Sequence, residues 1–165
     1  MSLCQPRPLF VYGSLMDGLF NYRRYLAHHV SQTPRRARVR GALYHLQHKG
    51  YPALLQGDDW VYGELFVLDD FPAAIAALDE MENFHGEDDP QSEYLRQLIE
   101  VEIFDPAQGR YVGQQQAYHY RYVVQHDPKW QLARFPSGAT GERRLTVSDN
   151  NKGQPAGCPF SWKMA

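Results

Sequence analysis

The chain has 165 residues, 43% of them apolar and 22% charged, with a formal net charge of -2. That length can bury the core of a single domain, and so near-neutral a charge speaks against nucleic-acid or anionic-membrane partners. Cys4 and Cys158 stand near opposite ends in no metal-ligating spacing, no stretch approaches membrane-spanning length, and Met1 to Pro8 lacks a signal peptide's apolar core, so a reducing, cytoplasmic setting is expected.

Leu9 to Tyr12 predicts a buried first strand, which breaks at once into Gly13 and Ser14. A strand tip of this kind exposes successive backbone N–H groups that can hold an anion without a cationic side chain. Leu19, Tyr22 and Leu26 fall at helical spacing after the Asp17-Gly18 turn, and Arg36 to Leu46 reads as a strand. Trp60 to Leu68 is the clearest strand, with Gly63 as a bulge or point of close approach. Asp69 or Asp70 is expected to cap the next helix, with Pro72 in its first turn and helix formers from Ala73 to Asn83. Phe84 to Glu93 is acidic and polar and reads as a mobile loop. Tyr94 to Phe104 and Tyr111 to Val124 predict an antiparallel hairpin about the Asp105-to-Gly109 turn. Periodicity fades after about Pro128, and Asp149 to Ala165 reads as a surface-hugging or disordered tail. Many strands around few helices indicate an α+β domain with a curled or barrel-like sheet.

One carboxylate breaks the pattern. Projected at about 100° per residue, Phe71, Ile75 and Leu78 form the apolar stripe of the 71–82 helix, with Met81 at its edge. Glu82 falls inside that stripe, Asp79 lies at its margin, and Glu80 points nearly opposite. A carboxylate turned toward an apolar interior has its charged form disfavoured and its pKa raised, which suits general acid–base work near neutral pH. The competing interpretation puts Glu82 at a frayed helix end, swung out to water.

The motifs YGSL (Tyr12 to Leu15), GALY (Gly41 to Tyr44), YPALL (Tyr51 to Leu55), VYGELF (Val61 to Phe66), LDEME (Leu78 to Glu82) and Tyr94-Leu95-Arg96 follow one another in order. In that order and spacing the chain resembles the γ-glutamylcyclotransferase-like superfamily, in particular the γ-glutamylamine cyclotransferase branch and its small bacterial relatives. The resemblance covers residues 9 to 124 and reaches toward Phe135-Pro136-Ser137-Gly138. It implies a small mixed β-barrel flanked by a few helices, with a cyclotransferase-like core over 9–140; it does not account for the C-terminal extension over 141–165. It further implies conversion of an L-γ-glutamyl amide to 5-oxoproline and a free amine. Tyr12, Gly13, Ser14 and Leu15 would hold the glutamyl end, and Glu82 would be the acid–base. The loop between Glu82 and Tyr94 is longer than in compact relatives and would border the leaving amine, whose identity stays open.

That reaction needs no enzyme nucleophile, metal or cofactor, because the substrate's own α-amine attacks its γ-carbonyl. Other chemistries find little support. Neither His28-His29 nor His45 with His48 forms a metal motif. Ser14 follows Gly13 directly, without the GxSxG elbow of a serine hydrolase. Arg36, Arg38 and Arg40 share one strand face, where they could meet phosphates, reach an anionic substrate, or blunt a sheet edge. Tyr118, Tyr120 and Tyr122 share a face that packs the core or lines a pocket, and Tyr120 is the substrate-binding candidate among them. The expected partner is a small γ-glutamyl molecule, not nucleic acid or membrane, and the oligomeric state is open. The alternative is a fold member that binds a small anionic metabolite or a protein without turnover. An occluded Glu82, or one paired with Arg96 or another cation in a closed network, would favour binding or a purely structural role.

Overall fold

A computed structural model describes residues 5–13, 21–46, 51–123 and 132–134. The strands are β1 (Leu9–Val11), β2 (Arg35–Leu46), β3 (Tyr51–Phe66), β4 (Tyr94–Asp105), β5 (Arg110–Tyr122) and β6 (Leu132–Arg134), with one helix, α1 (Phe71–Met81), between β3 and β4. A π-type turn at Tyr22–Leu26 and a 3-10 turn at Ala27–His29 take the place of the expected first helix. Ser14, Leu15 and Leu19 lie outside the described residues, as do His48, Phe135 to Gly138 and the C-terminal extension.

Strand pairings run β3-β1-β5-β4-β2, and β2 pairs back onto β3, so five strands close a circuit. All these pairings are antiparallel except β1 with β5, where Leu9 meets Tyr118 and the Tyr118 N–H donates to the Pro8 carbonyl at 2.9 Å. The expected mixed, barrel-like sheet in an α+β fold is what the pairings produce. β6 adds a short antiparallel edge to β2.

The core has two compartments, and β1 divides them. Phe10 and Tyr12 join Val39, Leu43, Leu54, Val61, Val101 and Ala117 inside the circuit. Leu9 and Val11 point the other way and pack with Phe66, Phe71, Ile75, Leu78 and the Tyr118, Tyr120 and Tyr122 rings beneath α1. A strand covered on both faces needs apolar residues at successive positions, which is why Leu9-Phe10-Val11 is continuous rather than alternating. The three tyrosines share one face, as their alternation requires, and that face is turned to the helix.

Gly63 permits the β1–β3 contact. A Cβ there would collide with the Val11 carbonyl oxygen and lie 2.8 Å from the Phe10 ring. The Asp105-to-Gly109 turn forms as expected, with Gly109 at φ 65° and its N–H donating to the Asp105 carbonyl at 2.8 Å.

Two expectations need correction, and a third stretch shows its local hydrogen bonding. Asp70 occupies the N-cap of α1 in a left-handed conformation and its side chain makes no capping bond. Only its carbonyl takes part, accepting from the Ala74 N–H at 3.0 Å. Asp69 instead accepts from the Ser31 hydroxyl at 3.1 Å. The arginine strand is no sheet edge, because β3 and β4 flank β2. Its cations lie on aromatic rings: Arg38 is 3.9 Å from the Trp60 centroid, Arg40 is 3.7 Å from the same ring, and Arg36 is 4.3 Å from Phe104. Finally, the 84–93 segment is closed on itself about the buried Ser92. The His85 N–H donates to the Ser92 hydroxyl and the hydroxyl to the Gly86 carbonyl, both at 2.9 Å.

Gly63→Ala must push β1 off β3, and such overpacking costs about 1–3 kcal/mol or more. We expect its urea midpoint to fall accordingly; an unchanged midpoint would contradict the close approach.

Candidate active site

The end of α1 decides where Glu82 points. Glu82 is the C-cap, and its N–H still donates to the Leu78 carbonyl at 2.9 Å. Asn83 follows in the left-handed region at φ 53°. Its N–H reaches the Glu80 carbonyl at 3.2 Å, and the Phe84 N–H reaches the Asp79 carbonyl at 2.8 Å. These are the paired bonds of a Schellman closure, with asparagine where a non-glycine residue tolerates positive φ best. Phe84 then packs on the cluster beneath the helix, and the Asn83 carbonyl accepts from the Glu93 N–H at 3.0 Å. The helix end is therefore tied down on three sides rather than frayed. Glu80, by contrast, is exposed, as the projection requires.

So held, Glu82 keeps only partial contact with solvent. Burial, with the nearby Glu93 charge adding to it, pushes its pKa up to about 8. Glu82 in turn disfavours the phenolates of Tyr12 and Tyr120, whose pKa values are raised chiefly by burial. Among the described residues, no cation pairs with Glu82.

The cation in the neighbourhood is engaged elsewhere. Arg96 and Tyr120 are direct cross-strand partners on β4 and β5, and both side chains reach Asp79 on α1. Arg96 Nη1 lies 2.7 Å from Asp79 Oδ2, and the Tyr120 hydroxyl donates to Asp79 Oδ1 at 2.7 Å. Asp79 is half-buried, and burial raises its pKa while the Tyr120 hydrogen bond and Arg96 oppose the rise. One turn apart on a helix, Asp79 and Glu82 face the same way with different roles. Asp79 closes an ionic network; Glu82 is left outside it.

Tyr12 enters this framework from β1. Its hydroxyl donates to the Tyr120 backbone carbonyl at 2.6 Å. Gly13 follows in close contact, since a Cβ there would sit 2.8 Å from Pro52 Cγ. Pro52 is in turn held by the Tyr94 hydroxyl, which donates to its carbonyl at 3.0 Å. Of the predicted site residues, Tyr12, Tyr120 and Glu82 converge and Gly13 adjoins Tyr12, while Ser14 and Leu15 lie outside the described residues. The sequence projection left Asp79 at the stripe's margin and missed Glu93; their helical and cross-strand neighbours become visible only once β4 and β5 are paired. Among the described residues, no three His, Cys, Asp or Glu side chains gather into a metal-binding group.

A γ-glutamyl cyclotransferase, AIG2-like family model matches residues 9–138, and the chain belongs to that family. The fold is also similar to solved structures. An AIG2-like protein from mouse superposes with a TM-score of 0.60 at 22% identity, covering 81% of this chain and 88% of the other. An Arabidopsis thaliana protein matches with a TM-score of 0.55 at 21% identity, over 78% and 75% of the two chains. YkqA from Bacillus subtilis gives 0.50 at 26% identity, over 72% of this chain but only 36% of that one. No curated protein gives a significant match.

A raised carboxylate pKa carries a stability consequence. Glu82 binds its proton more tightly folded than unfolded, so its contribution is most favourable below about pH 4.5 and is lost as pH rises through about 8. Glu82→Gln removes that liability. We expect the variant to melt above the wild type at pH 9 and close to it at pH 4. Equal melting differences at both pH values would mean that the carboxylate is not desolvated.

Proposed function

We propose that this protein converts an L-γ-glutamyl amide to 5-oxoproline and a free amine, with Glu82 as the single general acid–base. Membership of a family that includes γ-glutamyl cyclotransferases supports the reaction class. The observation that carries the residue assignment is the inward, desolvated Glu82 carboxylate, left without a described cation while Arg96 serves Asp79. A group with a pKa near 8 takes and returns a proton readily at neutral pH.

The substrate's α-ammonium gives a proton to the Glu82 carboxylate. The freed amine nitrogen attacks the γ-carbonyl carbon and closes a five-membered ring. Collapse of the tetrahedral species breaks the bond to the leaving nitrogen, which takes the proton back from Glu82. The ring nitrogen sheds its second surplus proton through Glu82 to the released amine, so the products are a lactam N–H and an ammonium, and atoms and charges balance with no other reactant. Because the attack is intramolecular, the protein's largest contribution is to hold the glutamyl chain folded for ring closure. The Tyr12-to-Leu15 segment is the proposed glutamyl-binding loop. The Tyr12 hydroxyl is already engaged with Tyr120, so this loop would bind through backbone N–H groups that anchor the carboxylate or the developing oxyanion.

The test is 5-oxoproline release, followed by mass spectrometry, from a panel of L-γ-glutamyl amides. Glu82→Gln should lose activity by a factor of about 10² to 10⁴ while staying folded, and Glu80→Gln should be nearly silent. Near-wild-type activity in Glu82→Gln would sink the mechanism, and no product from any amide would favour a non-catalytic binder. In the wild type, kcat/KM should rise as pH increases through about 8, where Glu82 ionises. Glu93→Gln removes a negative neighbour and should move that limb to lower pH; a limb that stays put would remove Glu93 from the account.

A further inference from the structure

We propose that Tyr120 is a hydrogen-bond acceptor for the substrate's α-ammonium, with Asp79 and Arg96 as the positioning residues that impose this polarity. The proposal rests on the γ-glutamyl reading and supplies a second contact for the group that Glu82 deprotonates.

A tyrosine hydroxyl can donate or accept, so its partners decide what it offers a ligand. Arg96 is a permanent cation 2.7 Å from Asp79 Oδ2, which favours Asp79 as a carboxylate, an acceptor only. The Tyr120 proton is therefore committed to Asp79 Oδ1 at 2.7 Å. What remains on the Tyr120 oxygen is lone-pair density. Asp79 and Glu82 are one turn apart on the same helix face, so the Tyr120 oxygen bonded to Asp79 has the Glu82 carboxylate as a charged neighbour. Two neighbouring acceptors, with Arg96 committed to Asp79, suit a ligand bearing several N–H donors and positive charge. An ammonium fits. An oxyanion does not, because it would meet lone pairs and a carboxylate.

Tyr12 offers a contrast. Its proton goes to the Tyr120 backbone carbonyl rather than to a carboxylate, so its donor serves the fold. It holds the Tyr120 backbone in place, while Asp79 fixes the Tyr120 hydroxyl from the other side.

The probes are L-glutamine, the simplest γ-glutamyl amide, and its des-amino analogue 5-amino-5-oxopentanoate, which differ only in the ammonium. Calorimetric affinities would be measured for wild type, Tyr120→Phe, Asp79→Asn and Arg96→Gln, with 5-oxoproline release assayed in parallel. Tyr120→Phe keeps the packed ring and should fold. We expect it to weaken L-glutamine binding by about tenfold or more and leave the des-amino ligand unchanged. Asp79→Asn can present an N–H to the Tyr120 oxygen, and should show the same ammonium-selective loss; Arg96→Gln should show a smaller one. Equal losses for both ligands, or none, would overturn the assignment. A selective loss without 5-oxoproline from any γ-glutamyl amide would retain the ammonium site and reject the reaction. Product formation without a selective loss would do the reverse. A wild type that binds neither ligand would overturn both.

Discussion

Everything proposed for this molecule depends on how one helix ends. A carboxylate at the last turn of a surface helix ordinarily turns to water, where it costs nothing to keep charged. Here the backbone closes over itself at Asn83, Phe84 packs against the core, and Glu93, just before β4, bonds to the Asn83 carbonyl. Glu82 is one residue inside that closure. Its side chain is directed by backbone geometry, and among the described residues no cation neutralises this largely desolvated carboxylate.

The surrounding network is what allows that charge to remain useful. A lone cation beside Glu82 would lower its pKa and convert it into a structural ion pair. Arg96 is committed to Asp79, which also receives the Tyr120 proton. The two carboxylates of the LDEME segment are thus differentiated by what β4 and β5 bring to each. Environments that push neighbouring titratable groups apart are a usual means of assigning acid–base and supporting roles.

Much of this was legible in the residues. The apolar stripe of Phe71, Ile75 and Leu78 places Glu82 inward from periodicity alone, because three fixed positions determine the helix face. Gly63 announced a close approach within an otherwise bulky strand. Other features had no local signal. Tyr12 and Tyr120 are 108 positions apart and meet only because β1 joins β5 in parallel. The first half of β3 was obscured by Pro52 and by Gly57-Asp58-Asp59, turn-forming residues that here lie within a long hairpin strand. The acidic residues of the 84–93 loop dominate its composition and hide its internal bonding, in which the buried Ser92 hydroxyl joins His85 to Gly86. The arginine strand looked like an edge because a charge at every second position usually faces solvent, but Trp60 and Phe104 on the neighbouring strands give those cations aromatic faces to cover.

The central claim is that Glu82 is held inward and desolvated, and the most direct measurement is its own titration. With ¹³C-labelled glutamate and the Glu82→Gln variant to assign the signal, the carboxyl resonance can be followed from pH 4 to pH 10. The account predicts a midpoint near 8, far above the ordinary value of 4.5. A midpoint close to that ordinary value would contradict it, because a solvated carboxylate at the helix end could not be the tuned acid–base on which the site depends.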